Sequence, residues 1–425
     1  MNKTVKKGAI YSITVGVIIG GLLFWNNLAS SRSNVEKKVD KQVIYKVSSL
    51  SKTNENQHVE SDDDVRAYSH GIDLLTKNKN ERYLVWSSAH GSEGEDGSWN
   101  HDVFISTLNH KKPKIQQVRT LIAAPEAQEP VSGGMTKDGH LLLTFEDGYN
   151  NQNVVSQRYV VFDSNLNVVK KYPQTIKDGG HSGHGTSLDN QHVVFWSDDW
   201  VDGGGVNNLG SGKDVLVTTL SSDGKVLHGL KITPSDETRD WWPILQASKK
   251  NVALVWQRYV EDETYAQTMM ALYDPKSNKL IKKPFVLQPE TTYYTYDVSY
   301  IDGLDVFVVS GTDEKGKGFL YTVNSDGKVI VKKQNLPGFI REAKPAIKVD
   351  NGVATLVYPK AKNGFMVYAI TKNKVTLEAR IRDNYEWQYG GTVGFFADDH
   401  TVYFASLSKE GIVEKEIRIQ SVRRK

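Results

Sequence analysis

One unit recurs seven times along this chain, and that recurrence constrains the fold more than any other feature. Each unit has an entry segment, a short strand, a turn with Asp, Asn or Gly, and a strongly apolar strand ending on a polar or aromatic residue. The second strands read RYLVWSS, HLLLTFED, HVVFWSDD, NVALVWQR, LDVFVVSGT, GVATLVYP and TVYFAS. Their ends fall near Trp86, Phe145, Trp196, Trp256, Val309, Tyr358 and Ala405, about 47 to 60 residues apart. The strands ahead of them begin near SHGIDL, EPVSGGM, GHGTSL, WWPILQ, YDVSYI, AKPAIK and GGTVGF. Helix-period patterning is nearly absent after residue 42, and β-branched or alternating runs dominate. Outer hairpins carry DSNLN, SSDGK, DPKSNK and NSDGK, the chemistry of tight β-turns. This pattern predicts an all-β, seven-bladed β-propeller with four-stranded antiparallel blades around a central channel. A β-sandwich or a two-domain β protein is the alternative use of such strands.

The last unit, ending in IVEKEIRIQSV, is one strand short. The early segment KQVIYKVSSL, residues 41–50, can supply the missing outer strand and close the ring. The propeller domain is therefore read as residues 41–425.

Ahead of it, Lys3, Lys6 and Lys7 precede AIYSITVGVIIGGLLFW, about 17 uncharged and mostly apolar residues. Residues 1–8 read as a basic cytoplasmic N-terminus and residues 9–25 as a transmembrane signal-anchor helix, preceding a polar tether over residues 26–40. Positive charge on the inner side places the propeller outside the cytoplasm. Cleavage near NNLASS, giving a secreted protein, is the rival reading. The chain of 425 residues carries 53 Lys plus Arg against 50 Asp plus Glu, a net charge of only +3, so nothing calls for nucleic acid as a partner. With no cysteine, disulfides, zinc–thiolate sites and a thiol nucleophile are excluded.

In a propeller, the loop entering each innermost strand and the loop after the second strand emerge on one face, around the channel mouth. Residues far apart in sequence thus share one ring. That ring is expected to hold His70, Glu129, His184, Arg239, Trp241, Trp242, Tyr294, Tyr296, Asp297, Arg341, Glu342, Lys344 and Trp387 from the entries. The second-strand exits add His90, Glu146, Asp198 and Arg258. Such a concentration of aromatics, His, Arg and carboxylates is what ligand sites are made of. The opposite face closes with plain turns such as TKDG, DNQ, SKKN and VDNG. The ligand-binding candidates are His184, Glu129, Asp198, Arg239, Trp241, Trp242, Tyr296, Arg341 and Trp387. The side chains of His184, Trp242 and Arg258 are expected to point into the mouth. A cell-envelope polysaccharide or a protein partner would suit this face.

The segment SHGIDLLTKNKNERYLVWSSAHG resembles the first blade of BNR-repeat propellers, including propeller polysaccharide lyases that act on uronate-containing polymers. That resemblance implies one histidine entering the blade and another after its second strand, as His70 and His90 stand, either of which could be the base. The chemistry of the ring would have Arg258 or Arg239 neutralise the substrate carboxylate and Tyr294 or Tyr296 give a proton. Trp242 stands where the family would place a tyrosine ahead of Arg258, so binding without catalysis is the leading reading and β-elimination the alternative. The sialidase Asp-box and the paired WD40 motifs are absent. The acidic loop SDDWVDGGGVNNLGSGKD could offer oxygens to calcium but lacks the alternation of a dedicated loop. No metal and no cofactor is called for.

Overall fold

The computed structural model describes residues 44–52, 69–93, 99–124, 127–147, 155–170, 172–205, 208, 210–233, 237–360, 364–384, 387, 391–408 and 411–420. Residues 1–43, with the anchor and tether expectations, lie outside the described ones. None of the described helices is long and apolar enough to cross a membrane.

Seven separate sheets of four antiparallel strands make seven blades. The innermost strands, in order, are Ser69–Asn78, Glu129–Met135, His181–Leu188, Asp240–Ala247, Tyr296–Ile301, Ala346–Asp350 and Thr392–Phe396. All seven fall on the first strands expected from the repeat, and the apolar second strands follow as expected. The second strands are apolar without alternation because both of their faces are buried. Leu84 and Trp86 face blade seven, whereas Tyr83 and Val85, one residue out of phase, face blade two. Each of the seven gaps between neighbouring blades is filled by one hydrophobic cluster built in this way.

Blade seven is completed from the other end of the chain. Strand Ile44–Lys52 pairs antiparallel with Gly411–Gln420, matching Ile44 to Gln420 and Tyr45 to Ile419. The ring is thus closed by backbone hydrogen bonds between its two ends, and the last strand is not left as a bare edge.

Backbone conformation is distinctive where the inner strands begin. Near that entry, Gly71, Ser182, Trp242, Tyr294, Glu342 and Gly391 all take positive φ, from +53° to +135°. In blades one and seven glycine takes it, and no Cβ would fit. A Cβ on Gly71 would lie 2.4 Å from the Val131 nitrogen, and one on Gly391 would lie 2.4 Å from Ile72 Cγ2. In blades three to six, bulky or polar residues adopt the same left-handed region at a cost of roughly 1–3 kcal/mol each.

Candidate functional site

The inner-strand entries bring side chains from six blades to the channel axis. Trp242, only 8% exposed, is the hub. Its indole stacks on His70 (6.3 Å, 15°) and meets His184 and Tyr294 edge-on at 5.9 and 4.8 Å. The Arg341 guanidinium lies 5.6 Å from the Trp242 ring and 4.2 Å from that of Tyr294. Tyr296 donates its hydroxyl to the Trp242 carbonyl at 2.5 Å, fixing the turn from below. Trp242 therefore closes the channel rather than standing free in its mouth, a correction to the sequence expectation. A plug must be packed on several sides, and its burial follows from that.

On the outer side of this plug lies a charged group. His70 sits between two carboxylates, with Nδ1 3.6 Å from Glu129 and Nε2 3.7 Å from Glu342. Glu129 is also 3.4 Å from Nδ1 of His101, and Glu342 accepts from Arg341 at 2.6 Å. Glu146 pairs with Glu129 across the strands and accepts from the Ser182 amide at 2.5 Å. Burial pushes the Glu146 carboxyl up to about 7, the Ser182 amide opposes this, and the neighbouring Glu129 charge adds to it.

On the inner side, a cavity of about 60 Å³ is lined by Asp73, Ser132, His184, Trp242, Asp297 and Lys344, among others. That is room for a few waters and too little for a sugar ring. Lys344 of blade six reaches Asp73 of blade one at 2.9 Å, and Asp73 accepts from Ser132 and the Gly133 amide of blade two. Burial opposes the Lys344 ammonium, but Asp73 and Asp297 outweigh it and raise its pKa. Burial drives Asp297 up to about 6 against the pull of Lys344, and burial with the Lys344 charge drives His184 down to about 4. The axis is thus a polar column that ties blades one, two, five and six together beneath an aromatic lid.

The other sequence candidates are placed as follows. Arg258 is held by Asp240, at 2.9 and 3.3 Å, and that carboxylate also accepts from Trp256 at 2.6 Å. Asp240 is fully buried, so Arg258 compensates a buried charge instead of facing the mouth, again unlike the expectation. Arg239 donates to the carbonyls of Val201 and Gly203 and stacks over Tyr259, so it pins the Gly-rich rim loop. Asp198 lies near the end of strand Gln191–Val201 and accepts from the Asp199 amide. Trp241 is 1% exposed and packs on Tyr293, with its indole nitrogen donating to the Tyr294 hydroxyl at 3.3 Å. Trp387 is 2% exposed and wedged edge-on against Phe365 and Phe404, between blades six and seven. Both tryptophans are core residues because the chain enters its inner strand there between blades. His90 falls on strand Glu81–Glu93, among residues whose side chains are not described.

Of the named candidates, the structure unites His70, Glu129, His184, Trp242, Tyr294, Tyr296 and Arg341. It adds His101 and Asp73, which the sequence reading missed. His101 lies near the start of the third strand Trp99–Asn109, and third strands also start at the mouth. Asp73 is a charged residue inside an apolar inner strand, a signal that it faces the axis.

No family model and no curated protein sequence matches the chain. Solved structures with similar folds include a chain of the mitotic checkpoint complex, 10% identical over 92% of this chain and 96% of that one, with a TM-score of 0.52. A Hadza microbial sialidase (10% identity, TM-score 0.46) aligns with 84% of this chain and 66% of its own. An acylaminoacyl peptidase from Pyrococcus horikoshii (12%, 0.43) aligns with 80% and 49%. At such identities the likeness concerns fold alone. The strand order itself establishes that the chain is a seven-bladed β-propeller.

Proposed function

We propose that the chain is a membrane-anchored, extracytoplasmic propeller that binds a cell-envelope polysaccharide at its channel mouth, with a protein partner as the alternative occupant. One observation carries this reading. Ser182, Trp242, Tyr294 and Glu342 hold left-handed backbone that glycine would adopt at no steric cost, and all four border the mouth. Strain retained by side chains at one place is a mark of a functional surface. The small axial cavity directs the ligand onto the mouth, where Tyr294, Arg341, Glu342 and Glu129 offer an aromatic face, a cation and two acceptors. Residues 9–25 would hold the domain at the membrane, or be cleaved to release it.

A second reading is a lyase acting on uronate polymers. It is favoured by the position of His70 between the carboxylates of Glu129 and Glu342, which can orient an imidazole for proton transfer. In that reading Arg341, not Arg258, would neutralise the substrate carboxylate.

An array of uronate-containing and amino-sugar polymers, probed with wild type, Arg341→Ala and Glu342→Gln, tests the binding reading. Binding that both folded variants lose supports it, and binding that both retain contradicts it. Growth of ultraviolet absorbance from new unsaturated ends, abolished by His70→Ala, would replace binding by catalysis.

A further inference from the structure

Among the described residues seven large apolar side chains are exposed, and six of them share one stretch of the perimeter. They are Val168 and Val169 of blade two, Val226 and Leu227 of blade three, and Ile281 and Val286 of blade four, each 38% to 50% exposed. The three blade edges form one continuous surface. Lys170 Nζ donates to the Gly224 carbonyl at 3.0 Å, and His228 Nε2 lies 2.8 Å from the Pro275 carbonyl.

Charge on this surface is positive on balance. The outer hairpins and strands of these three blades, residues 163–178, 222–231 and 274–291, carry nine lysines against five carboxylates. Lysine on an edge strand is ordinary protection against pairing with another chain. Exposed Val, Leu and Ile beside the lysines are the opposite of protection, so the combination calls for an occupant. Lys279, Lys282 and Lys283 flank Ile281 within five residues and are all exposed. A second copy of this face would meet it with like charge. Protein interfaces are depleted in lysine, whereas lipid surfaces accept apolar side chains with lysines reaching back to anionic headgroups.

The location agrees. An outer strand begins on the face opposite the mouth, after the hairpins that end near Lys225 and Asn278, and Val226, Leu227 and Ile281 lie at that beginning. We propose that the lower edge of blades two to four docks on an anionic lipid surface, which leaves the mouth facing away from the membrane. The proposal extends the reading of residues 9–25 as an anchor, and the strand Ile44–Lys52 that follows the tether sits at the perimeter too.

The chain has no cysteine, so single labels are specific. Full-length protein carrying a polarity-sensitive dye at Leu227→Cys is mixed with phosphatidylglycerol or phosphatidylcholine vesicles. The expected result is a blue shift of the dye with phosphatidylglycerol only, lost when Lys279, Lys282 and Lys283 are all changed to Glu. The same dye at Glu261→Cys, on the mouth side, keeps its aqueous spectrum. An unshifted Leu227 label in phosphatidylglycerol, or equal shifts in both lipids, overturns the proposal. A lipid-independent shift that grows with protein concentration also overturns it and identifies a second copy. Co-sedimentation with phosphatidylcholine vesicles reports the anchor separately, so failure of the anchor and failure of the docking edge are distinguishable.

Discussion

Trp242 of blade four lies nearly parallel to His70 of blade one, with ring planes 15° apart and centroids 6.3 Å apart. The same indole touches His184 of blade three, Tyr294 of blade five and Arg341 of blade six. One side chain therefore joins five blades at the axis. It also does so from a left-handed backbone at φ +53°, where a bulky residue is a conformational outlier. Sealing the channel and shaping the mouth are the same act here.

Trp242→Ala should cost roughly 3–5 kcal/mol, as truncation of a buried aromatic does. Trp242→Gly loses the same contacts but relieves about 1–2 kcal/mol of left-handed strain, against about 0.5–1 kcal/mol of extra backbone entropy. Urea titrations should find the glycine variant at least as stable as the alanine variant. A glycine variant clearly weaker than alanine would show that the backbone there is not strained.

Arg258→Ala leaves the buried Asp240 without its cation. Because Arg258 is itself 23% exposed, the expected loss is roughly 2–4 kcal/mol, somewhat under the ~3–5 kcal/mol of a fully buried pair. Asp240→Asn in the Arg258→Ala background should recover part of that loss. No recovery would mean that packing of the Arg258 stem, and not charge, matters.

Most of the architecture was legible because it rests on local pattern. Strands such as RYLVWSS announce burial on both faces, and Asn or Asp before Gly marks the hairpins. The ring closure was legible from a strand count alone. The site was legible only in outline. Topology places Trp241 and Trp242 on the same rim, and nothing in two adjacent tryptophans says that one fills a gap between blades while the other caps the axis. Arg258 was misjudged for a related reason: its partner, Asp240, lies 18 positions earlier, opposite it only once the first and second strands of the blade pair. Sequence gives membership of the mouth, while packing decides which members face it.

The raised pKa of Glu146 has a defined sign. Between its ordinary value of 4.5 and about 7, the folded protein binds the proton that the unfolded chain releases. This contribution to stability is full at acid pH and is lost as pH rises through about 7. Glu146→Gln should remove that part of the pH dependence, so its stability relative to wild type should improve from pH 5 to pH 8. Parallel curves for the two proteins, by urea unfolding at both pH values, would contradict the assignment.

Truncation tests the closure. Removing residues 1–34 spares the strand Ile44–Lys52, whereas removing residues 1–50 takes most of it and exposes the edge of Gly411–Gln420. The longer deletion should melt at least about 5 °C lower than the shorter one. Equal melting temperatures would mean that the pairing with Gly411–Gln420 adds nothing to the ring.

The most direct test of the mouth as a ligand site is calorimetric titration of the full chain with tetragalacturonate, comparing wild type with Arg341→Ala. Arg341 is held by Glu342 and stacked over Tyr294, so it is poised to meet a carboxylate without further ordering. The account predicts saturable binding by wild type and at least about tenfold weaker binding by the variant, a loss near 1.4 kcal/mol, with the variant still folded. No heat of binding in wild type, or equal affinity in the two proteins, would contradict it.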